Sequence, residues 1–254
     1  MKVTFLGTGT SQGIPVISCP CNVCQSVDTH DQRLRTSILI ESDATAIVVD
    51  TGPDFRQQML REKVKRLDAV LFTHGHKDHV AGLDDVRAFN YFLQKPMDVY
   101  ATGPVQEIIR NEFSYAFDRE NDYPGIPKIK LHTIDLQPFN IGDINFQPVE
   151  VYHFKLQVLG FRFGDFTYIT DANYVSAAEK DKIKGSRFLV LNALRVDKHV
   201  SHFSLAEAIA VAQEIGAEAT YFTHISHQLG LHREVSQQLP PNIYLAYDGL
   251  KIVW

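Results

Sequence analysis

Seven residues, Thr73-His-Gly-His-Lys-Asp-His79, carry three imidazoles and one carboxylate. Each of these side chains is polar and, if buried, needs its own partner, so packing alone does not explain their density. A shared cation does. The preceding run, Asp68–Phe72, has strand composition, which places the cluster where a strand ends and a loop opens, a usual position for a site held by a rigid scaffold. Gly75 lets the backbone turn sharply there. His74 and His76 can then face one ion while Asp78 and His79 face another, and a borderline cation such as Zn²⁺ accepts both nitrogen and oxygen ligands.

All three cysteines fall in Cys19-Pro-Cys21-Asn-Val-Cys24. In a reducing compartment such a cluster is more often a metal site than a disulfide, and an odd count leaves one thiol over in any disulfide scheme. Three thiolates are one ligand short of a closed tetrahedral zinc, so a histidine from elsewhere is expected as the fourth. His227 is the candidate, which makes about 15–35 a zinc loop. The alternative is a redox pair or inert thiols.

Further groups of the same chemistry stand at the ends of strand-like runs. Val149–His153 alternates and ends in a histidine, Phe166–Thr170 leads into Asp171, and Ala219–Thr223 leads into His224. Ala46–Val49 leads into Asp50, a carboxylate suited to accept the remaining N–H of a ligand histidine, or to cap the helix that Pro53 and Asp54 begin. His202 stands just ahead of a capping box, Ser204-x-x-Glu207, and so at the mouth of a helix over Leu205–Ile215, free to face a cleft. His199, nearby, has the weaker case.

Around these residues the chain alternates strands and helices without repeats or a Ser/Gly linker. Strands are expected at Val3–Leu6, Thr36–Glu41 and Met97–Ala101, and helices at Phe55–Lys65, Leu83–Leu93 and Val105–Glu112, with Phe89 and Phe92 in the core. The glycine-rich segment Gly7–Gly13 permits close backbone approach. No Gly-Lys-Ser/Thr follows, so it is a weak phosphate loop and a plain turn is as good a reading. Phe113–Pro127 is aromatic and acidic with little periodicity, a loop packed on the core or stacked on a substrate ring. Asp248-Gly249 is expected to turn between two closing strands, Ile243–Tyr247 and Leu250–Trp254.

Composition bounds the function. At 254 residues with 44% hydrophobic and 22% charged residues, the chain has the make-up of a globular α/β protein with a full core, read as a single domain over 1–254. A net charge of -5 offers no basic face for long nucleic acid, although a small phosphate ester remains compatible. No apolar run approaches the length of a bilayer span and the start has no signal-peptide layout, so a cytoplasmic protein without membrane partners is expected.

The His-x-His-x-Asp-His pattern at 74–79 resembles the signature of the metallo-β-lactamase superfamily, whose fold is an αββα sandwich of mixed sheets flanked by helices. The resemblance implies one ion held by His74, His76 and His153, a second by Asp78, His79 and His224, and Asp171 bridging them, with Zn²⁺ or Mn²⁺ as the occupants. Asp78 is then both ligand and catalytic group. Two cations about 3.5–4 Å apart lower the pKa of water toward ~7 and clamp attacking and leaving oxygens. By resemblance to the phosphodiesterase branch, His202 is the general acid for a leaving alkoxide. Narrower still, Gly7-Thr-Gly-Thr-Ser-Gln-Gly-Ile-Pro15, the cysteine loop with a later histidine, Thr170-Asp171, His224–Gln228 and Ala246-Tyr-Asp-Gly249 resemble the PhnP-type cyclic-phosphate phosphodiesterases, where such a loop binds a structural zinc. The implied activity is hydrolysis of a small, cyclic phosphodiester by hydroxide attack; dimers are common in the resembling group, which leaves a homodimer open for this chain. A tRNA 3′-processing endonuclease shares the ligands, but it usually carries a long Gly/Pro-rich arm between the positions of His153 and Asp171. A glyoxalase-type thioesterase leaves His202 and the cysteine loop unexplained. A non-enzymatic metal-binding protein has no need of the full ligand set.

Overall fold

Ser37-Ile-Leu-Ile-Glu41 and Ala46-Ile-Val-Val49 are apolar at successive positions because both faces of their sheet are covered. Ile38, Ile40, Ile47 and Val49 face a second sheet, whereas Leu39 and Val48 face helices. The computed structural model describes residues 1–118 and 123–254. It places two mixed sheets face to face.

The first sheet contains β1 (Lys2–Gly7), β2 (Ser37–Glu41), β3 (Ala46–Val49), β4 (Ala69–Leu71), β5 (Met97–Ala101) and β6 (Ile129–Thr133). The second contains β7 (Phe139–Ile141), β8 (Ile144–His153), β9 (Leu156–Phe163), β10 (Phe166–Tyr168), β11 (Tyr174–Val175), β12 (Phe188–Asn192), β13 (Ala219–Thr223) and β14 (Ile243–Leu245). The last strand, β15 (Lys251–Val253), returns to the first sheet beside β1. Each sheet is antiparallel in one half and parallel in the other: β3 to β6 run parallel, as do β10, β12, β13 and β14. Phe146, Phe161, Phe163, Phe166 and Tyr168 fill the space between the sheets. Outside the first sheet lie α1 (Phe55–Arg61), the short α2 (Lys77–Val80), α3 (Arg87–Leu93) and α4 (Gly103–Glu112); outside the second lie α5 (Ala177–Ile183), α6 (Leu205–Ile215) and α7 (His232–Ser236). The result is the helix–sheet–sheet–helix layering that the resemblance implies.

The α6 capping box is present: the Ser204 hydroxyl accepts the Glu207 N–H, and the Glu207 carboxylate accepts the Ser204 N–H. Among the described residues no helix is long and apolar enough to cross a membrane.

Four expectations need correction. The helix read over Phe55–Lys65 stops at Arg61, and Lys63 takes a left-handed φ of 55°. The segment Leu83–Leu93 begins as a 3₁₀ turn, Leu83–Val86, before α3 starts. Phe89 is core but Phe92 is 79% exposed. A 3₁₀ turn advances about 20° more per residue than an α-helix, so a face extrapolated from Leu83 misplaces residue 92. Finally, β14 and β15 are not a hairpin, since they lie in different sheets. Asp248 instead pins the crossover between them to the first sheet, accepting from the Thr8 hydroxyl (2.7 Å), the Leu34 N–H (2.8 Å) and Arg61 (3.1 Å).

The glycine segment is a close-packing device. A Cβ on Gly7 would lie 1.9 Å from the Arg35 carbonyl oxygen, and Gly9 bridges to both Arg35 and Ile225. The aromatic loop Phe113–Pro127 contains a 3₁₀ turn at Ser114–Ala116, and its residues 119–122 lie outside those described.

Candidate metal centre

The parallel strands deliver the site at their carboxyl ends, where open α/β sheets characteristically bind ligands. Asp50 follows β3, the segment Thr73–His79 follows β4, and His224 follows β13, with Asp171 three residues beyond β10. Asp50, Asp171 and His224 hold left-handed φ values of 64°, 48° and 53°. Such conformations cost non-glycine residues about 1–3 kcal/mol each and persist where the surrounding structure enforces them. A Cβ on Gly75 would lie 2.4 Å from Ile108 Cδ1 on α4, the end of a side chain that is 37% exposed and free to turn aside.

Hydrogen bonds orient the imidazoles. Asp50 is wholly buried, accepts the Thr73 N–H (2.9 Å) and hydroxyl (2.8 Å), and lies 2.8 Å from His79 Nδ1. This is the acceptor role anticipated for it; the capping position before α1 belongs to Asp54. With its proton given to Asp50, Thr73 Oγ1 is an acceptor for His74 Nδ1 at 2.9 Å. The Ser201 carbonyl likewise accepts from His153 Nδ1 (2.8 Å). In all three rings Nδ1 is taken up as donor, which turns Nε2 into a free lone pair.

Those lone pairs converge. His74 Nε2, His79 Nε2 and both ring nitrogens of His224 are buried without a hydrogen-bond partner. His79 Nε2 nevertheless lies 3.3 Å from Asp78 and 3.4 Å from Asp171, and His224 Nε2 lies 3.1 Å from Asp171 and 3.8 Å from Asp78. One donor atom each from Asp78, His79, Asp171 and His224 fits within 4.8 Å, as does one each from His153, Asp171 and His202. Asp171 belongs to both sets. His74, His76 and His153 meet as rings, with centroids 4.6 Å apart for His74 and His76, 5.1 Å for His76 and His153, and 6.0 Å for His74 and His153. The grouping of His202 with His153 and Asp171 was not foreseen: its Nε2 lies 3.2 Å from Asp171 Oδ2.

The electrostatics fit a cation. Burial opposes charge on His224, yet Asp171 and Asp78 outweigh it and raise its pKa to about 9. Burial is likewise outweighed at His79, which Asp171 and Asp50 push well above the histidine range, and at Asp171, which His224 and His79 hold well below the carboxylate range. Burial keeps His74 and His76 below the histidine range, so it is at His79 and His224 that a proton takes the place of a metal, and there the two compete for the same lone pairs. His202 goes the other way: burial lowers it to about 4 against the pull of Asp171.

The second cluster joins the β1–β2 connection to the segment after β13. His227 Nδ1 lies 3.3 Å from both Cys19 Sγ and Cys21 Sγ, and donor atoms of Cys19, Cys21, Cys24 and His227 all fit within 4.8 Å. The hydrogen bond from His227 lowers Cys21 to about 6, while burial raises Cys24 to about 11. Three sulfurs and one imidazole nitrogen are a donor set that suits tetrahedral zinc.

Thr73 and the Ser201 carbonyl were missed in the sequence. A signal for the first was present, because a threonine precedes three of the site residues: Thr73-His74, Thr170-Asp171 and Thr223-His224. Thr170 Oγ1 donates to Asp171 Oδ1 at 2.6 Å.

A sandwich of two mixed sheets with buried His and Asp donors at the strand ends defines a class of metal-dependent hydrolase folds. Residues 45–225 match the family described as Beta-lactamase superfamily domain, and a crystal structure described as a new diphosphatase from the PhnP family superposes with a TM-score of 0.93 at 38% identity, covering 100% of this chain and 97% of that one. The chain belongs to the metallo-β-lactamase superfamily of hydrolases. It is also 41% identical over 256 residues to an octanoyltransferase of Porphyromonas gingivalis, covering 100% of this chain but 51% of that protein, so it spans about half the length of this relative. Zn²⁺-bound PqqB from Methylobacterium extorquens shares the fold at a TM-score of 0.79 and 20% identity, covering 100% of both chains.

Proposed function

We propose that residues 1–254 act as one unit that hydrolyses small, cyclic phosphodiesters at a pair of divalent metal ions, Zn²⁺ or Mn²⁺, with a structural zinc in the cysteine loop. His74, His76 and His153 would hold one ion, Asp78, His79 and His224 the other, and Asp171 both. When bound, the pair supplies Lewis acidity and lowers the pKa of water at the site. The observation that carries the reading is the position of His202 beside the carboxylate shared by both donor sets. A buried imidazole there can protonate a departing alkoxide, and a bound phosphodiester brings the negative charge that raises its pKa from about 4.

Two features weigh against an RNA-processing enzyme. Between His153 and Asp171 the chain makes only β9, β10 and short turns, and the net charge is -5. A second reading, hydrolysis of a diphosphate, is favoured by the 38% identical neighbour described as a diphosphatase. It differs in its leaving group, a phosphate that needs less protonation.

His202→Ala separates these readings. Loss of a general acid costs about 10²–10⁴ in turnover of a ribose cyclic phosphate, and far less for an activated aryl phosphodiester or a diphosphate. Equal losses on all three would remove the general-acid role. A glutathione thioester and an octanoyl thioester complete the panel, the latter because of the Porphyromonas relative.

A further inference from the structure

The residue after His153 is strained, aromatic and in solvent. Phe154 and Lys155 form the two-residue turn between His153 and Leu156, the paired ends of β8 and β9. Phe154 has φ 59°, a value at which a bulky side chain is an outlier and glycine is the favoured residue of hairpin turns, and it is 55% exposed. The fold therefore accepts both backbone strain and an exposed ring at one position. Neither serves the core.

The tip is fastened to the site. The Phe154 N–H donates to Asn173 Oδ1 at 2.7 Å, and Asn173 Nδ2 donates to the Val200 carbonyl at 3.1 Å. Asn173 lies two residues after Asp171 and Val200 two before His202, so one amide ties the hairpin tip to both walls of the metal centre. His153 itself sits against His202, with ring centroids 4.4 Å apart. Along the same rim Tyr174 and Val200 are 55% and 64% exposed, and Lys155 Nζ stands over one face of the Phe154 ring, 5.4 Å from its centroid. A flat apolar ring with one face open and a lysine ammonium at the other is complementary to a planar ring that carries a phosphate.

We infer that Phe154 is a specificity-determining residue that stacks on the base of a nucleoside substrate, with Lys155 beside the phosphate-bearing sugar, so that the site prefers a nucleoside cyclic phosphate over a sugar cyclic phosphate lacking a base. The inference rests on the phosphoester reading above. Its test uses binding, so that the two can fail separately.

The Zn²⁺-reconstituted protein is titrated by calorimetry with adenosine 2′-monophosphate and with methyl ribofuranoside 2-phosphate, which lacks the base. Base–aromatic stacking predicts about tenfold tighter binding of the nucleotide. Phe154→Gly erases that gap and leaves affinity for the methyl riboside unchanged. Because glycine accepts the left-handed backbone, this variant melts no lower than the parent. Phe154→Tyr keeps a ring and keeps the gap. Equal binding of both ligands by the parent protein, or a gap that survives in Phe154→Gly, overturns the inference. Failure to hydrolyse any phosphodiester removes the phosphodiesterase reading, and the binding titration then supports or overturns the stacking role on its own.

Discussion

His224 and His227 stand three residues apart after β13 and serve two clusters built on opposite principles. His224 joins donors drawn from strand ends as distant in sequence as Asp78 and Asp171, all of them largely buried. His227 joins a six-residue loop whose Cys19 and Cys21 are partly exposed at the edge of the second sheet's core and whose Val23 and Cys24 are buried in it. In the first cluster the sheets position the donors, hydrogen bonds accepted by Asp50, Thr73 and the Ser201 carbonyl set the tautomers, and the backbone at Asp50, Asp171 and His224 pays for the geometry in strain. In the second, Cys24 Sγ accepts the Val16 N–H and Cys21 Sγ the Cys24 N–H, so short-range bonds within the β1–β2 connection, its seat on the core and the metal would hold the sulfurs in place. The contrast teaches which cluster keeps its shape when its ion is withdrawn.

The largest effect falls on the shared carboxylate. Asp171→Asn leaves one charged oxygen fewer between two donor sets, and turnover of a cyclic phosphodiester is expected to drop to background while the far-ultraviolet circular dichroism is preserved. Retained turnover would show that the two sets do not act together. Next is Asp50→Asn, which weakens the acceptor behind His79; an outer partner of this kind is worth about 10–100-fold in metal affinity, read by competition with a chelator. Unchanged affinity would mean that the sheets alone orient the ring.

For the loop the expected loss is in stability. Cys21→Ser should lower the folding free energy by about 2 kcal/mol, or roughly 4–8 °C in melting temperature, and remove one zinc by mass spectrometry while the buried pair still loads. Full zinc retention with unchanged melting would refute the structural role. The smallest effect sharpens the electrostatics. In chelator-treated protein the thiolate of Cys21 reacts with iodoacetamide, so its alkylation rate rises as pH climbs through about 6, and Cys24, at about 11, stays slow at neutral pH. His227→Ala is expected to move the Cys21 midpoint toward the ordinary thiol value of about 8.5. A midpoint indifferent to His227 would separate the ring from the sulfurs.

The sequence carried the site more fully than it carried the path of the chain. Spacing in Thr73–His79 and the polar residues at three strand ends pointed to side chains that the fold does bring together, Asp78, His79, Asp171 and His224 within 4.8 Å, because several such residues at the ends of apolar runs have a common reason that one alone does not. The left-handed backbones left no trace, since Asp and His tolerate that region without requiring it. Strand alternation assigns faces but not sheets, which is why β14 and β15 read as a hairpin although the chain crosses from one sheet to the other between them. Phe92 was misplaced because a 3₁₀ turn shifts the angular register. His202 was read correctly as standing ahead of a capping box, but its approach to Asp171 depends on how two distant loops pack.

The most direct test is turnover of a ribose 2′,3′-cyclic phosphate by protein reconstituted with Mn²⁺ or Zn²⁺, beside a linear dinucleotide and the two thioesters. Preferential opening of the cyclic ester, lost on chelation and restored by metal, is the predicted result. Turnover confined to a thioester would contradict the phosphodiesterase reading and the role given to His202.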